Sequence, residues 1–110
     1  MATYVNLIVS KCRPQDEDRF LKWWAEVHIP LLLKYKGLKS VTRYKLASDD
    51  MSTGQYLAIQ EFYSKADMEG YNGSPEVAAV REEIKRAWPD PACWQIVSRT
   101  SYEELDRFIR

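Results

Sequence analysis

Lys39-Ser-Val-Thr-Arg-Tyr-Lys-Leu-Ala47 and Gln55-Tyr-Leu-Ala-Ile-Gln-Glu-Phe-Tyr63 are two runs of alternating side chains, joined by the polar stretch Ser48 to Gly54. Alternation places successive residues on opposite faces of a strand, and Ser, Asp, Thr and Gly between two such runs favour a turn, so the pair predicts a β-hairpin. Val41, Arg43 and Lys45 share one face of its first strand, against Thr42, Tyr44 and Leu46 on the other. Asp49 and Asp50 fall in the turn and read as solvated carboxylates.

The segments outside the hairpin extend the pattern. Thr3 to Lys11 alternates with apolar groups on both faces and reads as a first strand. Asp16, Glu17 and Asp18 then stand where the positive end of a helix dipole favours carboxylates. Advancing about 100° per residue from Phe20, the residues Trp23, Trp24, Leu21, Val27, His28, Leu31 and Leu32 fall in one arc, while Lys22 and Glu26 face away. Pro30 lacks a backbone donor and restricts Ile29, which predicts a kink or break before a short turn that Gly37 ends as a C-cap.

After the hairpin, Ser64 and Asp67 form a helix-opening cap, and Ser74-Pro75 opens a further helix with the stripe Val77, Val80, Ile84 and Trp88. Trp88-Pro89-Asp90-Pro91 stops it. Cys93 to Ser101 reads as a last strand, with Trp94, Ile96 and Ser98 opposite Gln95, Val97 and Arg99. Ser101 with Glu104 is a second capping signature ahead of Leu105, Phe108 and Ile109, and predicts a short C-terminal helix. The order is β-α-β-β-α-β plus that helix, a split βαβ arrangement of the α+β class. Its usual solution is one four-stranded antiparallel sheet with two helices on one face.

The chain of 110 residues has room for a single domain, residues 1–110, and carries no repeat or linker. A monomer this small buries about two thirds of its unfolded surface, and strands apolar on both faces need a second cover. A homodimer in which an identical subunit supplies that cover is the expected partner state. Sixteen basic and sixteen acidic residues balance, which leaves no field to steer nucleic acid. No segment approaches the roughly 20 apolar residues of a membrane span. Met1-Ala2-Thr3-Tyr4 lacks the features of a signal peptide, so the expected location is cytoplasmic. Cys12 and Cys93 have no zinc or redox spacing and read as reduced thiols, brought near each other because the first and last strands of such a sheet are antiparallel neighbours.

His28 is the single histidine and the natural acid/base candidate, since its ordinary pKa lies near neutrality. The competing reading is a helix-end histidine that donates to a backbone carbonyl near Pro30. One histidine without neighbouring Cys or carboxylate ligands cannot make a metal site, so no metal is expected, and there is no Ser/His/Asp order or phosphate loop. Four Trp and seven Tyr exceed what a core requires. Tyr44 and Tyr63 are the candidate ligand-binding aromatics read from the residues, because their strands form the hairpin whose pocket-facing residues could approach the first helix. Core and interface packing is the alternative for each of them.

The stretch Phe20-Leu-Lys-Trp-Trp-Ala-Glu-Val-His28-Ile-Pro30-Leu31, followed by Gly37-Leu38, resembles the EthD-like family of the dimeric α/β-barrel superfamily. There an aromatic residue, a Trp or Tyr, a His, a Pro and a Leu recur on the first helix ahead of a Gly-Leu pair. The resemblance implies a ferredoxin-like subunit whose sheet packs on that of a partner, with a mostly apolar cleft and no cofactor. It places His28 and Trp24 at the matched positions of that helix, and so implies His28 as the catalytic residue and Trp24 as a ligand-binding aromatic. Relatives include muconolactone isomerases, decarboxylases, dehydratases, cyclases and quinone-forming monooxygenases. The expected function is cofactor-independent acid/base chemistry on a small hydrophobic aromatic, polyketide-like or lactone metabolite. The alternative is a non-catalytic, stress-associated dimer that binds a hydrophobic ligand.

Overall fold

A computed structural model describes residues 3–48 and 55–110. Asp49, Asp50 and most of the turn read between the hairpin strands lie outside the described residues. The strands are β1 (Tyr4–Cys12), β2 (Leu38–Lys45), β3 (Tyr56–Phe62) and β4 (Trp94–Glu103). They form one antiparallel sheet in the order β2-β3-β1-β4. Four α-helices, α1 (Glu17–Trp23), α2 (Ile29–Leu32), α3 (Lys65–Tyr71) and α4 (Pro75–Ala87), complete the α+β ferredoxin-like arrangement. Two predicted caps form as hydrogen bonds: Ser64 Oγ accepts from the Asp67 amide at 3.1 Å, and Ser74 Oγ from the Val77 amide at 3.2 Å.

Alternation decides what the helices cover. On β3, Tyr56, Ala58, Gln60 and Phe62 are buried, while Leu57 and Ile59 on the other face are half-buried. Val5, Leu7 and Val9 of β1 likewise pack against neither core cluster. The core has two parts. One is aromatic and centres on Phe20, 1 % exposed, whose ring lies 5.1 Å from Trp24, 5.1 Å from Tyr56, 5.3 Å from Trp94, 6.0 Å from Trp88 and 6.4 Å from Trp23. The other gathers Leu32, Leu38, Phe62, Tyr71, Val77 and Val80.

The first helix does not break at Pro30. Trp24–His28 is a π turn that leads directly into α2, and Ile29 keeps helical dihedrals, φ −62° and ψ −45°. The Ile29 amide bonds the Trp24 carbonyl five residues back, and this widened turn takes up the proline that a regular ladder would reject. Gly37 is not a left-handed C-cap either. Its role is close approach, since a Cβ there would stand 2.6 Å from Asp67 Cβ and 2.7 Å from Tyr35 Cε2.

Two corrections concern the end of the chain. The C-terminal helix is absent: β4 runs on to Glu103, and residues 104–110 are irregular. The residues that would cap such a helix are engaged elsewhere. Ser101 pairs with Asn6 and donates to Asn6 Oδ1 at 2.6 Å, while the Glu104 amide donates to the Thr3 carbonyl at 2.7 Å. Along β4, alternation also slips. Val9 pairs Ser98 whereas Ser10 pairs Ile96, so Val97 is an extra residue. A one-residue bulge reverses the facing of everything beyond it, and Arg99 and Ser101 join Trp94 and Ile96 on the helix side instead of opposing them.

Cys12 pairs with Trp94, and the Arg13 amide donates to the Cys93 carbonyl at 3.1 Å, so both cysteines sit at one end of the sheet as free thiols. Burial pushes the Cys12 thiol up, which leaves it protonated.

Because Phe20 touches every other ring of its cluster, Phe20→Ala is expected to cost about 3–5 kcal/mol of folding stability. Urea unfolding of the two proteins measures it, and a loss under about 1 kcal/mol would contradict the central role of this ring.

Candidate functional site

A cavity of about 140 Å³ opens between the sheet, α2 and α4. Its floor is a row of polar side chains across three neighbouring strands. Asn6 pairs with Gln60 on one side and Ser101 on the other, with Asn6 Nδ2 at 3.5 Å from Gln60 Oε1 and Ser101 Oγ at 2.6 Å from Asn6 Oδ1. Asn6 and Gln60 are buried at positions where the strand pattern otherwise places core groups. Ile8, Ile96, Leu32, Val80 and Ile84 supply apolar wall, and Tyr71, Arg81 and Arg99 stand around it.

His28 enters this cavity because of the π turn. In a regular helix residues five apart lie about 140° apart around the axis. The i→i+5 turn brings Trp23 and His28 to the same side, and their rings stack at 4.8 Å and 25°. The imidazole is half-buried, and its Nδ1, shut off from solvent, has no hydrogen-bond partner. Burial first, and the Arg99 guanidinium second, lower its pKa from 6.5 to about 4, against a weaker upward pull from Glu83. The side chain is therefore neutral at pH 7 and able to accept a proton. His28 Nδ1 donates to no backbone carbonyl.

Tyr71 is the second proton-bearing group of the cavity. Burial pushes its hydroxyl up to about 12, against the pull of the Gln60 amide, Arg99 and Arg81, so it stays protonated as a donor.

The other aromatics singled out in the sequence lie elsewhere. Trp24 stacks on Phe20 inside the aromatic cluster, with Arg43 5.1 Å above its ring, and does not line the cavity. Tyr44 is 51 % and Tyr63 62 % exposed. Tyr44 pairs with Leu57, and Tyr63 follows Phe62 in the alternation, so both belong to the sheet face away from the helices. Asn6, Gln60, Tyr71, Arg81, Arg99 and Ser101 were not foreseen as site residues. For Asn6 and Gln60 the signal was present, as a polar side chain in the inward phase of a central strand. Arg99 and Ser101 were hidden by the bulge at Val97. Among the described residues no group of His, Cys, Asp and Glu could hold a metal ion, and no helix is long and apolar enough to cross a membrane.

The sheet order, the helices on one face and the cleft between them define a ferredoxin-like α+β domain with a small internal cavity. The chain belongs to the family described as a domain of unknown function, DUF4286, whose model matches residues 3–97. Its fold is similar to that of an EthD family protein from Bacillus halodurans, at 15 % identity and a TM-score of 0.67 over 96 % of this chain and 100 % of that one. It is also similar to a candidate antibiotic biosynthesis monooxygenase from Bordetella bronchiseptica, at 13 % identity and 0.66 over 98 % and 100 %. A DABB family protein with a ferredoxin-like fold from Mesorhizobium loti matches at 15 % identity and 0.62 over 98 % and 100 %. The resemblance carried by Phe20 to Leu31 is thus met in the fold. No curated protein matches the sequence.

The buried neutral histidine has a consequence for stability. The unfolded chain takes up a proton at His28 near pH 6.5, and the folded chain resists it down to about pH 4. Stability from this group is complete above pH 6.5 and is lost as the pH falls toward 4, by about 3 kcal/mol at most. Denaturant unfolding between pH 7 and 4 should show a steeper loss for the wild type than for His28→Gln. Parallel pH profiles would remove the assignment.

Proposed function

We propose that this domain is a cofactor-independent enzyme that uses acid/base chemistry on a small hydrophobic metabolite, aromatic, polyketide-like or lactone in type. The observation that carries the reading is His28, neutral, with a bare Nδ1, in a cavity that also holds a protonated Tyr71. A neutral imidazole accepts a proton from carbon next to a carbonyl. The electron pair moves to the carbonyl oxygen, where the Tyr71 hydroxyl and the Gln60 and Asn6 amides can donate hydrogen bonds to the developing enolate. The imidazolium then returns the proton at another atom, which completes an isomerisation. Decarboxylation, dehydration or cyclisation would use the same pair. Fold neighbours described as an EthD family protein and a candidate monooxygenase are in keeping with small-molecule chemistry.

A non-catalytic binding dimer would suit an all-apolar cavity, whereas this floor carries the Gln60, Asn6 and Ser101 row. In the enzymatic reading, His28→Ala should fold and lose at least about a hundredfold in turnover of a substrate identified by screening, since a positioned base contributes about 10²–10⁴. Tyr71→Phe should lose less. A His28→Ala enzyme as fast as wild type would sink the mechanism.

The working unit in this reading is a homodimer. Val5, Leu7, Val9, Leu57 and Ile59 form an apolar sheet face that no helix covers among the described residues, rimmed by Tyr44, Tyr63 and the 53 % exposed Tyr102. A second sheet packed on it would bury those side chains and give Tyr44 and Tyr63 their role, at the interface. Sedimentation is expected to give a dimer at micromolar concentration and a monomer for Ile59→Lys. A wild-type monomer would count against the arrangement.

A further inference from the structure

The charges around the cavity are one-sided. Among the described residues its lining holds two guanidiniums, Arg81 and Arg99, and no carboxylate. Neither arginine has an acidic partner within salt-bridge distance among the described residues: Arg81 reaches the Asn72 carbonyl at 3.4 Å, and Arg99 makes no ion pair. The acid nearest His28 in effect, Glu83 of α4, is already engaged, by Arg86 at 2.5 Å and 2.8 Å and by the Trp23 indole at 3.3 Å. Arg99 reaches this place because of the Val97 bulge, which turns a charge toward the helices that regular alternation would have sent to the other face. An arginine placed at a cleft without a partner is suited to a planar anion, which a guanidinium can hold by two parallel hydrogen bonds.

Size narrows the ligand. A cavity of about 140 Å³ is close to the roughly 150 Å³ apolar cavity that accepts benzene, and well below the volume of a drug-sized pocket. A single ring matches the enclosed part of the cavity. The walls from Ile8, Ile84, Ile96 and Val80 suit the body of such a ring, while both arginines are exposed and stand at the rim.

We propose that the cavity takes a small monocyclic carboxylate, its ring between the sheet and α4 and its carboxylate on Arg99 and Arg81. This rests on the reading of the cavity as the substrate site, and adds to it the charge and the size of the ligand. The carboxylate would also set the proton chemistry, because an anion beside the imidazole offsets the repulsion from Arg99 and makes His28 a stronger base when the site is filled.

Benzoate and its uncharged isostere benzamide separate the two ideas. Calorimetric or NMR titration at low salt should give benzoate at least tenfold tighter binding than benzamide. Arg99→Gln, with Arg81→Gln as a second exposed-site variant, should bring the two ligands to within about twofold. The imidazole resonance of the single histidine should titrate at higher pH with benzoate bound, and should not move with benzamide. Equal binding of the two ligands, an unchanged preference in both arginine variants, or no binding of benzoate at millimolar concentration overturns the proposal. The enzymatic reading would survive any of these, because it depends on the His28→Ala turnover test and not on an anionic substrate.

Discussion

Phe20 occupies the point where the first helix meets the middle of the sheet, and the packing of five aromatic rings around it fixes how the helix lies. Trp23 and Trp24 reach it from the same helix, Tyr56 from β3, Trp94 from β4 and Trp88 from the end of α4. Rings of this size meet in offset or edge-on geometries that tolerate little sliding, so they hold position as well as contribute burial. Once that end is locked, the far end of the helix can carry something other than packing. The cavity lies there, on the other side of Trp23 from the cluster.

Trp23 is the joint between the two regions. One of its neighbours is the aromatic cluster, the other is the face of the His28 ring, and its indole N–H is held by Glu83. A histidine stacked in this way keeps its ring plane without spending a ring nitrogen on a hydrogen bond. That accounts for a buried Nδ1 left free in a fold whose other polar groups are mostly paired. The same burial that fixes the ring lowers its basicity, and the floor amides and Tyr71 provide its polar surroundings.

Much of the fold could be read in the sequence because it rests on periodicity. The alternation of the hairpin, the caps at Ser64 and Ser74, and the stripe through Val77 and Val80 each correspond to a local physical preference, and each appears where expected. What escaped were the departures from periodicity. The π turn keeps Pro30 inside a continuous helix, the Val97 bulge reverses β4, and Ser101 spends its hydroxyl on Asn6, so no cap forms for a last helix. The site inherits these limits. His28 stood out as a lone titratable group in an apolar arc, whereas Arg99 and Ser101 required knowledge of the register. Tyr44 and Tyr63 rest on chemistry that their type permits and Trp24 on the family resemblance, while their placement depends on facing, which no local rule supplies.

The π turn and the bulge share a property that bears on how such a site arises. Each is one residue of surplus length in an otherwise regular element, and the residues they re-aim, His28 and Arg99, line one cavity. Shortening the helix by one residue would swing the imidazole about 100° around its axis, and shortening β4 by one would send the guanidinium to the other side of the sheet. The framework of strands and helices would be retained in both cases. Gain or loss of the site is therefore within reach of single-codon insertions and deletions, a kind of change that residue-by-residue comparison of aligned positions tends to pass over.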